Sequence, residues 1–255
     1  MQKILMPSQV SDLLNNYDKD ILKVLDGVDG YYECPKDAEG NRLGPLVGYT
    51  ATYGEGLHWV GDAYLNFAKM EHYPKLTCHF ARLLGAEIIK KVGRVNVFMA
   101  APEGGKPVAE MLAYVSGARY VYPEKEIHVL KTVTAREKSS WKWGRHDGHI
   151  LPDEKVVICE DLMNNFATTM SLLELAWKCG AKVVGLAGWY NRSVKYRDAY
   201  PLDGGDGIPI ITLGNKTLPE YKQDDPFVAK DVEAGNVSWK PKHDWDRIKK
   251  VMMQI

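Results

Sequence analysis

The chain has 255 residues, and its 33 basic and 33 acidic side chains give a formal net charge of zero. This balance removes the usual electrostatic argument for a nucleic-acid or membrane partner, although it allows a local basic cluster around a small anion. No apolar run approaches the roughly 20 residues that a membrane helix needs, and the N-terminus lacks a signal-peptide apolar region. The four cysteines form no C-x-x-C pair, so we expect a reduced, cytoplasmic chain.

The first third of the chain predicts helices around an irregular cap. "SQVSDLLNNYDKDILKVLD", residues 8–26, carries apolar side chains at helical spacing and predicts one amphipathic helix. Glycines and aromatics dominate residues 31–56, which favours hairpins or an irregular cap over a core layer. A longer helix is predicted over residues 73–92, because Pro74 suits a first helical turn and the apolar side chains that follow share one face.

From residue 95 onward, short apolar runs alternate with helical patterns. The apolar runs predict strands over residues 95–101, 118–126, 155–161, 181–190 and 207–215. Helices are predicted over residues 104–117 and 167–180, each closed by a glycine. This alternation is typical of an α/β fold with a parallel central sheet and flanking helices. Ligands of such sheets bind at the carboxyl ends of the strands.

Two adjacent carboxylates, Glu160 and Asp161, end the third of these strands. Alternation along a strand sends their side chains to opposite faces unless the strand breaks there. Carboxylates in this position can accept hydrogen bonds from a ribose diol or hold a hard cation through water. An ordinary strand-to-helix turn with two solvated acids would give the same sequence, so the pair alone leaves both interpretations open.

A polar loop follows the acids and opens the next helix. Backbone N–H groups at a helix N-terminus form an anion site that the helix dipole strengthens. The candidate anion-binding residues are Asn164, Asn165, Phe166, Ala167, Thr168 and Thr169. The threonine hydroxyls would equally serve to cap the helix. A phosphate loop normally uses glycine for its unusual backbone angles; asparagine tolerates these angles, whereas phenylalanine does not.

A second candidate anion loop follows the first strand of the alternating region. There Pro102 and Glu103 lead into Gly104 and Gly105, and adjacent glycines allow backbone amides to face an anion. A tight turn would need the same residues.

A long polar segment, residues 127–154, separates the second and third of these strands. Its basic side chains are Arg136, Lys138, Lys142, Arg145, His146 and His149. Loops of this length inside compact domains are usually functional lids or disordered. A lid would bring cations to a transferring phosphate, whereas a solvated charged loop would bind nothing. The histidines lack regular metal-ligand spacing, so we expect no direct metal site.

Taken in chain order, these features resemble the type I phosphoribosyltransferases, and among them the orotate phosphoribosyltransferases. The acid pair and its loop stand where that family has two acids and a T-T-G-G-T-like phosphate loop. Residues 100–107, "AAPEGGKP", resemble its G-P-A-x-x-G-I-P pyrophosphate loop, and residues 124–126, "EKE", resemble its R-K-E strand end. "WYNRS" places Arg192 where the family has the arginine that contacts the orotate carboxylate. The resemblance spans residues 54–213.

The resemblance implies transfer of ribose 5-phosphate from phosphoribosyl diphosphate (PRPP) to a pyrimidine base, orotate by preference, with release of pyrophosphate. It implies that Glu160 and Asp161 bind the ribose hydroxyls and that residues 164–169 bind the 5′-phosphate. It also implies that Gly104 and Gly105 bind the pyrophosphate and that Arg192 binds the base. The expected catalytic residues are Lys125, Lys138, Arg145 and His146. Mg²⁺ would be bound through PRPP, and Glu160 or Asp161 would reach it only through water.

The family also implies a homodimer, because its lid often reaches across to the partner. We expect one phosphoribosyltransferase-like domain, residues 1–255. It comprises an N-terminal helix and hood (1–72), a core (73–215) and a C-terminal extension (216–255).

The sequence also departs from the family's pattern. Phe166 replaces a glycine of the phosphate loop, and Ala100 replaces the leading glycine of the pyrophosphate loop. Gly104 occupies the position at which the family has a lysine in the pyrophosphate loop. Glu124 replaces an arginine, and the basic segment lacks the compact K-x-H spacing. These departures keep two other hypotheses open: a non-catalytic PRPP- or nucleotide-binding regulatory module on the same fold, and a transferase for another nucleobase.

Overall fold

The computed structural model describes residues 4–53, 56–129 and 138–252. Its helices are α1 (Pro7–Tyr17), α2 (Ile21–Gly27), α3 (Ala68–Glu71), α4 (Pro74–Val92), α5 (Gly105–Ser116), α6 (Ala167–Lys178), α7 (Ala229–Glu233) and α8 (Trp245–Met252). Its strands are β1 (Tyr31–Glu33), β2 (Leu46–Tyr53), β3 (Leu57–Gly61), β4 (Ala63–Leu65), β5 (Val97–Ala100), β6 (Arg119–Val121), β7 (Glu124–Val129), β8 (Lys138–Lys142), β9 (Lys155–Met163), β10 (Lys182–Asn191), β11 (Ala199–Tyr200), β12 (Ile208–Asn215), β13 (Glu220–Lys222) and β14 (Val237–Ser238).

A six-stranded sheet lies at the centre of the fold, in the order β11-β12-β10-β9-β5-β6. Its strands are parallel except for the edge strand β11, which runs antiparallel to β12. Both faces are buried: Val157 and Cys159 of β9 join the core that includes α4 and α5, whereas Val156 and Ile158 join the core that includes α6. The predicted α/β fold with a mostly parallel central sheet and flanking helices is therefore confirmed.

Local signals place the core helices where the sequence predicts them. Helix α4 begins at Pro74, whose missing N–H costs nothing in a first turn. Helices α5 and α6 are followed by Gly117 and Gly180, whose φ angles of 72° and 75° lie in the left-handed region that glycine adopts without strain.

The structure corrects two predicted elements. Residues 8–26 form two helices rather than one, because the Asp20 side chain accepts a hydrogen bond from the Lys23 amide and starts α2. Residues 118–126 form two strands rather than one, since Pro123 has no N–H to continue a ladder. Strand β6 pairs with β5, whereas β7 pairs with β8 in a separate hairpin that takes in part of the basic segment.

The C-terminal extension completes a second sheet with the hood. Strands β2 and β3 form a hairpin, β13 pairs with β3, and β14 lies parallel to β2. Buried Asp62 accepts hydrogen bonds from Lys36 Nζ at 2.8 Å and from Arg42 Nε at 2.7 Å. Arg42 also donates to Asp231 of the extension at 3.2 Å, so an ion-pair network ties the extension to the hood. None of the helices in the described ranges is long and apolar enough to cross a membrane.

Candidate functional site

Three cavities lie side by side near the carboxyl ends of β5, β9 and β10. The acid cavity has a volume of about 440 Å³ and is lined by Gly104 and Asp161, among others. The arginine cavity, about 610 Å³, is lined by residues that include Asn164 and Arg192. The lid cavity, about 530 Å³, is lined by residues that include Lys125. Neighbouring cavities share their walls. The acid and arginine cavities share Tyr64, Leu65 and Lys242, and the acid and lid cavities share Glu103 and Lys106.

The acid pair lies inside strand β9, which runs on to Met163 instead of ending at the acids. The strand therefore keeps its alternation, as predicted, and the two carboxylates point to opposite faces. Glu160 accepts a hydrogen bond from the Thr169 hydroxyl on α6 at 3.3 Å. Asp161 lies against Gly104 on the α5 side, where an added Cβ would come within 2.4 Å of Asp161 Oδ1. Only the Asp161 side faces the acid cavity.

Burial disturbs the ionisation of both acids. Burial and the neighbouring charge of Asp161 raise the pKa of Glu160 to about 8, against a smaller lowering by the Thr169 hydrogen bond. Burial also raises the pKa of Asp161, while the Leu162 N–H and the charge of Lys242 act in the opposite direction. A ligand that offers hydroxyl donors or a cation would stabilise the ionised acids, which is the chemistry of a ribose diol or a hydrated metal ion.

Phe166 takes up the backbone geometry that the sequence suggested it could not. It precedes α6 with φ 61° and ψ 15°, in the left-handed region. Its side chain is 2% exposed and packs against Tyr196 and Tyr200, with ring centroids 5.4 and 5.8 Å away. Burial of a phenylalanine is worth about 1.5–3 kcal/mol, which offsets the roughly 1–2 kcal/mol cost of left-handed geometry. The ring therefore lies in the hydrophobic core, and its packing fixes the position of the loop before α6.

The first turn of α6 keeps donors for an anion. The Ala167 N–H donates to Asn165 Oδ1 at 3.1 Å, so the first amide of the helix already has an acceptor. The amides of Thr168 and Thr169 belong to the first turn, where no preceding helical carbonyl can accept from them. Thr168 lines the lid cavity, whereas the Thr169 hydroxyl is turned to Glu160. Asn164 and Asn165 line the arginine cavity instead.

Arg192 lines the arginine cavity with its charge already paired. It is 3% exposed, and its Nη2 donates to Glu220 Oε1 at 2.7 Å and to the Tyr49 hydroxyl at 2.8 Å. The guanidinium also lies over the Tyr49 ring, 4.4 Å from its centroid, and Asn164 Nδ2 donates to the same Glu220 oxygen at 2.8 Å. Tyr49 and Glu220 could not be predicted as partners of Arg192, because they come from the hood and the extension and no local pattern links them to it.

Of the predicted catalytic residues, Lys125 of β7 lies at one of the three cavities. Lys125 is exposed and lines the lid cavity. Arg145 is exposed with its Nε 3.9 Å from Glu124, and His146 packs against the Tyr122 ring at 4.6 Å. Burial, followed by the charges of His149 and Arg145, lowers the pKa of His146. Residues 130–137, which include Arg136, and the side chain of Lys138 lie outside the described residues.

The donor set fits a magnesium ion held mainly through a ligand. Carboxylate oxygens are the protein ligands that Mg²⁺ prefers, and Asp161 supplies them at the acid cavity, whereas Glu160 points to the opposite face. No cluster of three or more histidine, cysteine, aspartate or glutamate side chains suited to a metal occurs in the parts of the chain that the structure describes. An ion here would take its remaining ligands from substrate oxygens and water, as expected for Mg²⁺.

Comparison with known proteins finds no matching family model. Curated relatives include the orotate phosphoribosyltransferase of Caldanaerobacter subterraneus, 26% identical over 168 residues that cover 66% of this chain and 81% of the relative. The orotate phosphoribosyltransferase of Heliobacterium modesticaldum is 25% identical over 66% of this chain and 82% of its own. That of Sulfurovum sp. is 31% identical, but over 51% of this chain and 58% of its own.

Solved structures of similar fold are more distant. The orotate phosphoribosyltransferase of Aeropyrum pernix is 16% identical with a TM-score of 0.47, covering 76% of this chain and 92% of that chain. The adenine phosphoribosyltransferase of Trypanosoma brucei is 14% identical with a TM-score of 0.46, covering 66% and 75%. Structural similarity at this level adds no argument about function to that of the sequence relatives.

These sequence relatives and the α/β fold support the resemblance of the chain to the type I phosphoribosyltransferase family. The three relatives named above are all orotate phosphoribosyltransferases.

The approach of α5 to β9 predicts a glycine requirement. A Cβ at Gly105 would lie 2.1 Å from the Cys159 carbonyl oxygen, so we expect Gly105→Ala to lower the free energy of unfolding by about 1–3 kcal/mol. Gly85 inside α4 is the matched control, since its Cβ would meet Leu112 and Val115 at 3.8 Å. Gly85→Ala should be neutral or stabilise by up to about 1 kcal/mol. Urea unfolding measures both, and a Gly105→Ala variant as stable as wild type would contradict the close approach.

The raised pKa of Glu160 predicts a pH-dependent stability. Between the ordinary value of 4.5 and about 8, the folded chain keeps a proton that the unfolded chain has lost, so wild-type stability falls as pH rises through this window. Glu160→Gln removes that loss of stability. Because partial solvent access weakens the effect, we expect the variant to exceed wild type in free energy of unfolding by about 1–3 kcal/mol at pH 9, and to differ little from it at pH 5.

Urea unfolding at pH 5, 7 and 9 measures this difference. Glu174→Gln, an exposed substitution on α6, controls for the removal of one carboxylate. A gain from Glu160→Gln that stays constant across the three pH values would show that Glu160 is not the titrating group.

Proposed function

We propose that this protein transfers ribose 5-phosphate from PRPP to a nucleobase, orotate by preference, and releases pyrophosphate. The observation that carries the proposal is the acid pair of β9, set between the Gly104–Gly105 loop and the first turn of α6. The ribose hydroxyls of PRPP would bond to Glu160 and Asp161. Its 5′-phosphate would meet the amides of the first turn of α6, and its pyrophosphate would lie along the glycine loop.

In the proposed reaction, the bond between C1 of the ribose and the pyrophosphate oxygen breaks, and its electron pair leaves with the pyrophosphate. A ring nitrogen of the base supplies the electron pair of the new bond to C1 and loses its proton to water. Negative charge grows on the pyrophosphate, where Lys125 of β7 and, from the basic segment, Lys138, Arg145 and His146 would stabilise it. Bound Mg²⁺ would neutralise further charge on the diphosphate. The remaining work of the protein is to orient the two substrates and exclude water.

The identity of the base depends on Arg192 and Glu220. Arg192 favours a carboxylated base such as orotate, because a guanidinium forms strong charge-assisted hydrogen bonds with a carboxylate. Glu220 already holds this guanidinium at 2.7 Å, so the orotate carboxylate would have to displace it or lie beside a like charge. This ion pair favours an uncharged nucleobase as the second candidate substrate, since such a base would leave the pair intact.

The test is a turnover assay with purified protein, PRPP and Mg²⁺ against orotate, uracil and adenine, with nucleotide and pyrophosphate both quantified. Formation of orotidine 5′-phosphate supports the proposal, and turnover with uracil or adenine alone supports the second candidate. PRPP binding in calorimetry without turnover on any base would support a non-catalytic binding module. Absence of both binding and product would contradict a phosphoribosyltransferase-type function altogether.

The cytoplasmic location, the homodimer and the division into hood, core and extension stay predictions. Size-exclusion chromatography with light scattering measures the oligomeric state directly.

A specificity prediction follows from the Arg192–Glu220 pair. Glu220→Gln removes the competing charge, so we expect the KM for orotate to fall about tenfold, with a much smaller change for an uncharged base. Glu233→Gln, an exposed substitution on α7 of the extension, is the matched control. Steady-state kinetics measure the effect, and an unchanged orotate KM in Glu220→Gln would show that Glu220 does not compete with the base.

A further inference from the structure

A short segment of the C-terminal extension, residues 237–244, runs along the wall between the acid and arginine cavities. Strand β14 begins the segment and pairs in parallel with β2. Trp239 then lies over Gly48, where an added Cβ would come within 2.3 Å of the indole. Only glycine at position 48 allows this approach, so the segment is seated on the hood.

The turn after Trp239 is held by its own hydrogen bonds. The amides of His243 and Asp244 donate to the Lys240 carbonyl at 2.8 and 3.0 Å. The buried Ser238 hydroxyl donates to Asp244 Oδ2 at 2.8 Å, which closes the turn from the other side. Pro241 is buried within the turn, whereas Lys242 beside it is exposed. The turn therefore presents Lys242 in a fixed place.

Lys242 stands where the two cavities meet, because it lines both of them. The acid cavity holds three carboxylates, from Glu71, Glu103 and Asp161, and two lysines, Lys106 and Lys242. Those carboxylates would repel an anionic ligand unless cations balance them.

The two lysines differ in what they already bind. Lys106 Nζ lies 2.8–2.9 Å from both carboxylate oxygens of Glu103 and 4.4 Å from the centroid of the Tyr122 ring. Lys242 makes no hydrogen bond or ion pair with any residue in the described ranges. Burial raises the pKa of Asp161 and of Glu71, and the charge of Lys242 acts in the opposite direction on both, so Lys242 lies within electrostatic reach of the two acids. Lys242 is thus available to an incoming anion in a way that Lys106 is not.

We propose that Lys242 is a substrate-binding residue, whose ammonium group contacts a phosphate or pyrophosphate oxygen of PRPP where the acid and arginine cavities meet. This inference rests on the proposed function, since it assigns a cation to the same substrate. It also gives the C-terminal extension a direct part in the site. An ammonium group on a flexible stem suits this place, because it can follow a phosphoryl oxygen without bidentate geometry.

The experiment is isothermal titration of the full chain with two probes, PRPP with Mg²⁺ and inorganic pyrophosphate with Mg²⁺. We expect Lys242→Gln to weaken PRPP binding about tenfold or more, the usual effect of losing one charge-assisted hydrogen bond. Lys242→Arg keeps the charge and should bind within about threefold of wild type. Lys250→Gln removes an exposed lysine of α8 that lines neither cavity and serves as the matched control.

Each outcome decides between the claims. Equal binding by wild type and Lys242→Gln would overturn the role of Lys242 and leave the proposed function standing. Equal weakening in the glutamine and arginine variants, with a lower Tm in both, would show a structural role and overturn it as well. Failure of wild type to bind either probe would overturn both this inference and the proposed function.

Discussion

The close approach of the N-terminus of α5 to strand β9 is the contact on which the site depends. Gly105 passes so near the Cys159 carbonyl that a side chain there would force the loop away from the strand, and Gly104 lies beside the Asp161 carboxylate. The approach brings the loop after β5 beside the acid pair. Thr169 on α6 bonds to Glu160 from the opposite face of the sheet. The two acids are thereby held between the loop that precedes α5 and the first turn of α6, whose Thr168 and Thr169 amides could meet a phosphorylated sugar.

The electrostatics of the site come from parts of the chain that are distant in sequence. The core supplies the acids, the hood supplies Tyr49, and the extension supplies Glu220 and Lys242. The two contributions of the extension act in opposite senses. Glu220 neutralises Arg192 where a base would bind, whereas Lys242 offers an ammonium group, which forms no ion pair within the described residues, where phosphate oxygens would bind. The extension, which joins the hood sheet through β13 and β14, is therefore well placed to influence both substrates.

The central sheet and its helices could be predicted because periodicity and end signals are local. β-branched runs, Pro74 and the closing glycines report the conformation of their own neighbourhoods. Gly104 and Gly105 could be singled out for the same reason. The sequence predicts β7 as part of the central sheet, whereas it pairs with β8, because the pattern does not reveal with which strand a segment pairs.

The rest depends on tertiary contacts that no local pattern contains. Phe166 looked incompatible with a phosphate loop, because local sterics disfavour an aromatic residue in left-handed geometry. Burial against Tyr196 and Tyr200 outweighs that preference. The ion pair between Arg192 and Glu220, and the seating of Trp239 on Gly48, join residues far apart in the chain and could not be read from either segment alone.

A crystal structure of the protein with PRPP and Mg²⁺ tests the central claim most directly. In that structure we expect the ribose hydroxyls within hydrogen-bonding distance of Glu160 and Asp161, and the 5′-phosphate at the amides of Thr168 and Thr169. The pyrophosphate should lie along the Gly104–Gly105 loop. PRPP bound elsewhere, with the acid pair free of ligand, would contradict it.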